Sequence, residues 1–139
     1  MSLDKNLIEI LIDITSKAAI SCYPHVGKEN KNIADKAATD IMRYNLNKVN
    51  IRGEVVIGEG ELYQAPMLYI GEKLGNSKGQ EIDIAVDPVE GTNFVAKNLP
   101  GAISVLAISE KGNLFKAPET YMNKIAFGQN IPKDVIDLD

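Results

Sequence analysis

The residues best suited to chemistry in this chain are acids that follow two apolar stretches. Residues 82–94 read IDIAVDPVEGTNF, so a run typical of a buried strand is followed at once by Asp87, Glu90 and Thr92. A polar turn would explain this composition without any function, because Asp, Pro and Gly are the usual turn residues. The alternative is that the strand end presents two carboxylates and a hydroxyl to a ligand.

A second apolar stretch ends in the same way. Residues 54–58, EVVIG, predict a short buried strand, and Glu59 and Glu61 follow it. Ligand sites gather at strand ends, and neighbouring strands would bring the four acids together. Asp35, near the start of a predicted helix, would add a fifth acid. A capping role would fully explain Asp35 and is favoured from this residue alone, and Glu59 and Glu61 would otherwise be solvated loop residues.

Such a cluster of acids needs compensation. Two carboxylates about 4 Å apart repel by about 4 kcal/mol at an effective dielectric constant of about 20. Either their pKa values rise or divalent cations lie between them, and ligands that are all oxygen favour Mg²⁺ or Mn²⁺. Cations of this kind support phosphoryl transfer to water. Thr92 would orient or deprotonate that water, and backbone amides after Gly91 would bind a phosphate oxygen, unless Thr92 only caps the next segment.

Composition excludes several other classes of function. The 139 residues are 45% hydrophobic and 24% charged, which is typical of one globular domain. A net charge of −4 offers no basic face for nucleic acid, and no apolar run is long enough for a membrane span. The single histidine, His25, excludes a zinc site built from His and Cys clusters. The lone Cys22, read as a buried thiol, and the acids of the first ten residues favour the cytoplasm.

Periodicity predicts an α/β fold of layered α+β type, with a mixed sheet packed against helices. The helices are expected over residues 3–22 with Ser2 as cap, 33–49 with Asn32 as cap, and 65–74. The strands are expected over residues 54–58, 82–86 and 102–109, followed by a hairpin strand at 114–118 and a further strand at 120–128.

Three segments of the chain resemble one enzyme family. VVIGEGE, APMLYIGEKLG and DIAVDPVEGT are similar to the class II fructose-1,6-bisphosphatases, which belong to the metal-dependent, lithium-sensitive sugar phosphatases. The resemblance covers essentially the whole chain, although family members are more than twice as long. It implies that residues 1–139 are the N-terminal, metal-site domain of such a protein.

The resemblance also implies a reaction and a set of site residues. The reaction is hydrolysis of the 1-phosphate of fructose 1,6-bisphosphate, a step of gluconeogenesis, with Mn²⁺ or Mg²⁺ as cofactor. The implied metal ligands are Asp35, Glu59, Asp87 and Glu90. The implied catalytic residues are Thr92, Asp87 and Glu61, and the residues for the sugar phosphate are Lys31, Gly91, Thr92 and Tyr121.

One departure from the family pattern leaves alternatives open. The family typically reads GEGEIDEAPM where this chain reads GEGELYQAPM, so Tyr63 and Gln64 replace two acids and remove negative charge. A catalytically impaired remnant that binds metal or a partner is therefore an alternative, as is an inositol or other sugar phosphatase. The long APMLYIGEKLG match argues against the latter. A sheet left partly uncovered would also favour a homo-oligomer.

Overall fold

The computed structural model describes residues 3–60, 67–116, 123 and 125–132. Within these residues the layered α/β fold predicted from the sequence is confirmed. The elements in chain order are α1 (Asn6–Cys22), a 3₁₀ turn (Tyr23–His25), α2 (Lys31–Leu46), β1 (Ile51–Ile57), β2 (Lys73–Leu74), β3 (Gln80–Glu90), α3 (Thr92–Ala96) and β4 (Ile103–Glu110).

The first helix forms because its apolar residues repeat on one face. Its buried side chains are Leu7, Ile14, Ala18 and Cys22, spaced by four or seven residues. The helix begins three residues later than expected. The expected cap, Ser2, lies outside the described residues. Within them the first turn is supported by Asp4, whose Oδ1 accepts a hydrogen bond from the Asn6 N–H at 2.9 Å.

The second helix begins earlier than the sequence predicted, and its cap was predicted wrongly. Asn30, not Asn32, is the N-cap, and its side-chain oxygen accepts a hydrogen bond from the Ile33 N–H at 3.3 Å. The two-residue shift moves Asp35 to the fifth helical position, beyond the reach of a capping box. Capping therefore does not explain Asp35.

The described strands form one mixed sheet in the order β2-β1-β3-β4. β1 and β3 are parallel, whereas β2 runs antiparallel to β1 and β4 antiparallel to β3. Helices α1 and α2 pack together and cover one face of β3, where Ile82, Ile84 and Val86 join the core. On β4, Leu106 and Ile108 pack against this core, while Ile103 and Val105 point away from it and are 57% and 40% exposed.

The third helix predicted over residues 65–74 is wrong wherever the structure describes it. Residues 67–72 form a turn, and Lys73–Leu74 is the short strand β2. Gly71 has a φ of 91°, which is incompatible with a right-handed helix. Leu68 and Leu74, six residues apart, are both buried although residues with this separation do not share a helix face, and Leu74 pairs with Gly53 of β1.

The two strands expected after β4 are not found among the residues that the structure describes. Residues 114–116 and 125–128 are irregular, and the rest of both predicted strands lies outside the described residues. The turn after β4 is held by Asp83, whose carboxylate accepts hydrogen bonds from the Gly112 and Leu114 N–H groups. In the part of the chain that is described, no helix has the length and apolar character needed to cross a membrane.

Candidate active site

Parallel pairing of β1 and β3 brings two acidic strand ends to the same edge of the sheet. Ile57, the last residue of β1, pairs with Ala85 of β3. Glu59 follows two residues after the end of β1, and Asp87 lies two residues beyond Ala85, so both acids leave their strands at the same level. The side chains of Glu59 and Asp87 interact, and this interaction lowers the pKa of the Asp87 carboxyl.

β3 does not stop at the proline, as the sequence suggested, but continues to Glu90. Its pairing with β4 shifts register between Asp87 and Glu90, so the strand is irregular where the acids lie. Oδ1 of Asp87 accepts a hydrogen bond from the Val89 N–H at 3.0 Å, across the intervening proline. This local bond turns the strand end so that the Asp87 and Glu90 side chains contact each other.

The contact between these acids changes the protonation of Asp87. Burial raises the pKa of the Asp87 carboxyl from 3.8 to about 6, and the hydrogen bond and negative charge of Glu90 act in the same direction. The hydrogen bond with Glu59 and the Val89 N–H partly oppose the rise in pKa. Such a site holds a proton near neutral pH unless a cation replaces it.

Gly91 and Thr92 follow directly after this cluster. Gly91 has a φ of 89° and precedes α3, so it makes the sharp turn from strand to helix that a residue with a Cβ adopts only under strain. A Cβ at this position would also press against the Phe94 ring at 3.0 Å. Thr92 is the first residue of α3 and is half-buried, beside the acids of the strand end.

Asp35 lies in α2 and is the fourth acid implied as a metal ligand. Burial raises the pKa of its carboxyl, and the positive charge of Lys31, one turn earlier in α2, opposes the rise. Oδ1 of Asp35 is buried and has no hydrogen-bond partner among the described residues.

The remaining residues singled out from the sequence are Lys31, Glu61 and Tyr121. Lys31 is exposed at the first position of α2 and lines an open cavity of about 390 Å³ with Asn93 and Lys97. Glu61 and Tyr121 lie outside the described residues, as do the substituted Tyr63 and Gln64. Their roles stay predictions.

The donor chemistry of the cluster fits a hard divalent cation. Glu59, Asp87 and Glu90 offer only carboxylate oxygens, and the pKa of Asp87 is raised first by burial and then by Glu90, effects that a bound cation would oppose. The three carboxylates do not converge on one point at which an ion could bind all of them. Among the residues that the structure describes, no group of three or more His, Cys, Asp or Glu side chains is spaced to hold one ion. Binding would therefore require rotation of these carboxylates.

The sequence reading missed a half-buried ion pair that supports this region. Arg43 of α2 reaches Glu72, 29 residues later, with its Nε 2.7 Å from Oε1. A pairing over such a distance leaves no periodic signal in the sequence. The one available hint was a charged residue, Glu72, inside a stretch otherwise read as a helix.

Comparison with known proteins identifies relatives over most of the chain. Residues 5–139 match the profile of the family described as bacterial fructose-1,6-bisphosphatase, glpX-encoded. The chain is 49% identical over 126 residues to fructose-1,6-bisphosphatase 1 class 2 of Escherichia coli K12, covering 91% of this chain and 37% of the relative. It is 48% identical over 124 residues to a D-fructose 1,6-bisphosphatase class 2/sedoheptulose 1,7-bisphosphatase of Synechococcus sp. RCC307, covering 89% and 37%.

A solved structure shares the fold at lower sequence similarity. It is an extragenic suppressor from Pyrococcus furiosus, matched with a TM-score of 0.51 and 23% identity over 77% of this chain and 41% of that one. The chain spans a little over a third of the length of the curated relatives quoted above. The match over residues 5–139 nevertheless extends across both acidic strand ends and the turn at Gly91. The chain belongs to the class 2 fructose-1,6-bisphosphatase family.

Proposed function

We propose that this chain carries the metal-binding part of a class 2 fructose-1,6-bisphosphatase. The proposed reaction hydrolyses the 1-phosphate of fructose 1,6-bisphosphate, giving fructose 6-phosphate and phosphate. The main support is the contact of Asp87 with both Glu90 and Glu59, at the ends of two parallel strands. Three carboxylates at one sheet edge are unfavourable without a cation, which is the property a metal-dependent phosphatase needs.

The proposed cofactor is Mn²⁺ or Mg²⁺. Glu59, Asp87 and Glu90 would bind it, because carboxylate oxygens are the ligands that these ions prefer. The bound cation supplies charge neutralisation at the phosphate and makes water a better nucleophile. Asp35 is proposed as a fourth ligand, and its buried Oδ1, which has no hydrogen-bond partner among the described residues, supports this role. Glu61 is retained as a proposed catalytic acid.

The turn after β3 is proposed to bind and orient the phosphate group. Gly91, with no Cβ, allows a ligand to approach the backbone closely, and the N–H of Thr92 lies at the start of α3. The Thr92 hydroxyl would orient the attacking water or accept a proton from it. Lys31 and Tyr121 are proposed to bind the sugar phosphate, Lys31 through its charge.

Metal titration and phosphate release together test this proposal. Calorimetric titration with Mn²⁺ should show binding to the wild type. Asp87→Asn should weaken the affinity by tenfold or more, since carboxylates that contact the ion directly supply most of the attraction for it. Arg52→Met, which alters an exposed ion pair at the other end of β1, is the control. No heat of binding at millimolar Mn²⁺ would contradict the proposal.

A metal-binding module without appreciable turnover is the second candidate. It is favoured by the coverage of the relatives, since the 126 aligned residues span only 37% of the Escherichia coli protein. Phosphate release from fructose 1,6-bisphosphate, measured for this chain, its Tyr63→Asp variant and the full-length relative, separates the two. We expect this chain to be several orders of magnitude slower than the relative. Turnover at ordinary enzyme rates of about 1–10³ s⁻¹ would remove the second candidate.

The remaining proposals concern organisation. Residues 1–139 are proposed to fold as one domain, the N-terminal domain of the family's fold, and to act in the cytoplasm, where a single buried thiol such as Cys22 stays reduced. Self-association is proposed because β4 presents Ile103 and Val105 on the face of the sheet that α1 and α2 leave open.

A further inference from the structure

Arg43 connects α2 to the segment that follows the acidic loop. Its Nε donates to Oε1 of Glu72 at 2.7 Å, and its Nη2 donates to Oε2 of the same carboxylate at 3.2 Å. The same Nη2 also donates to the backbone carbonyl of Met67 at 2.5 Å. One planar guanidinium therefore holds both ends of residues 67–72 against the helix.

This ion pair differs from the exposed pairs elsewhere in the chain. The side chains of Arg43 and Glu72 are 24% and 10% exposed, and Glu72 as a whole is buried. A buried pair contributes through its precise geometry, since loss of either partner leaves a charge without compensation. By contrast, the Arg52–Glu81 pair is about half exposed, with its Nε–Oε1 distance at 3.8 Å.

The segment held by Arg43 is bonded in turn to the strand end that carries Glu59. The Glu59 N–H donates to the Leu68 carbonyl at 3.0 Å, next to the Met67 carbonyl that Arg43 binds. Further along, the Val55 N–H donates to the Glu72 carbonyl at 2.9 Å. Leu68 is fully buried, so the segment cannot slide without opening the core.

We propose that Arg43 is a positioning residue for the metal site, acting through residues 67–72 to fix the backbone of Glu59. The proposal rests on the proposed function, because it assumes that Glu59 is a metal ligand. Groups that orient ligands from behind typically change metal affinity by about 10–100-fold when they are removed. Lysine at position 43 can pair with Glu72 as a point charge, but it cannot also bind the Met67 carbonyl in the fork geometry.

Mn²⁺ titration followed by electron paramagnetic resonance of the free ion tests the proposal without relying on turnover. Arg43→Met is expected to weaken Mn²⁺ affinity by about tenfold, and Arg43→Lys by about threefold, since lysine restores the charge but not the fork. The matched controls are Arg52→Met and Arg52→Lys, which change the exposed pair on the same strands and should leave affinity within about twofold.

A role in stability alone would give a different result. Circular dichroism identifies a temperature at which each variant is folded, and the titrations are done there. Glu72→Gln serves as a second variant if Arg43→Met does not fold. Folded Arg43 variants that bind Mn²⁺ within twofold of the wild type would overturn the proposal. The same conclusion would follow if the Arg52 controls lost affinity equally.

Amide hydrogen exchange separates failure of this inference from failure of the proposed function. If the wild type binds no Mn²⁺, the ligand role of Glu59 is wrong, but the positioning of its backbone is still measurable. Arg43→Lys should then speed exchange at the Glu59 amide, which donates to the held segment, and at the Gly71 amide, which joins that segment to Val55, and leave Ile84 unchanged in the core. Unchanged exchange at Glu59 would refute the positioning role itself.

Discussion

The side chains of Asp87 and Glu90 interact at the end of β3, three positions apart on an irregular strand, and this interaction raises the pKa of the Asp87 carboxyl. Regular β geometry would send two residues with this separation to opposite faces of the sheet. The register shift between them brings their carboxylates to the same side, so the irregular strand end creates the acidic cluster.

The stability of the protein without metal should depend on the ionisation of Asp87. The pKa of its carboxyl is about 6 in the fold and near 3.8 otherwise, so the folded state binds the proton more tightly. Stability should therefore fall as pH rises from about 4 to about 6 and stay level above that. The pKa difference corresponds to about 3 kcal/mol at most, and solvent screening of this half-buried group reduces the expected effect to about 1 kcal/mol.

Urea unfolding of the wild type and Asp87→Asn at pH 4 and pH 8 measures this effect. The variant should be more stable at pH 8 and equal to the wild type at pH 4, because asparagine does not ionise. A variant that is less stable at pH 8 would show that the ionised carboxylate is compensated in the metal-free fold.

Mn²⁺ affinity should depend on pH over the same range. A cation must displace the proton held by Asp87, whose pKa is about 6, so affinity should rise about tenfold per pH unit below that value and level off above it. Calorimetry in buffers of different ionisation enthalpy measures the proton released. Affinity that does not change between pH 5 and pH 7 would exclude Asp87 as a ligand.

Gly58 should be intolerant of any side chain. A Cβ at this position would overlap the Leu68 carbonyl oxygen, which is backbone and cannot rotate away. Gly58→Ala should therefore destabilise the fold by about 2 kcal/mol or more, and it should weaken Mn²⁺ binding because the neighbouring Glu59 must move. Gly128→Ala, where nothing lies within 4 Å of the added Cβ, is the control. Equal melting temperatures for both variants would contradict this assignment.

The start of α2 offers a direct comparison of two asparagines. Asn30→Ala should cost about 1 kcal/mol because it removes the side-chain acceptor for the Ile33 N–H. Asn32→Ala should stay within about 0.5 kcal/mol, since Asn32 is exposed within the first turn. Thermal unfolding of the two variants measures both effects. A larger loss of stability for Asn32→Ala would show that Asn32 is the N-cap, as the sequence predicted.

Self-association should depend on the exposed apolar face of β4. Light scattering at high concentration should detect a dimer or larger species, and the double variant Ile103→Lys, Val105→Lys should shift it towards monomer. Ile12→Lys, at an equally exposed position on α1, should have no effect. A strictly monomeric wild type would contradict the proposed association.

The sequence by itself determined the elements whose pattern is local. The spacing of Leu7, Ile14 and Ala18 specifies one face of α1, and the apolar run before Asp87 specifies a core strand, because side-chain periodicity follows directly from helix and strand geometry. The acids at the strand ends and the turn at Gly91 were also visible as residue types in a recognisable order.

Tertiary structure decided what periodicity cannot encode. Residues 65–74 were predicted to be a helix, yet the φ of Gly71 and the pairing with β1 make residues 67–74 a turn and a strand. The contact between Glu59 and Asp87 depends on parallel pairing of strands separated by more than 20 residues, and Arg43 finds Glu72 across a similar distance. Such contacts form only when the core has closed, since no local preference of either partner favours them.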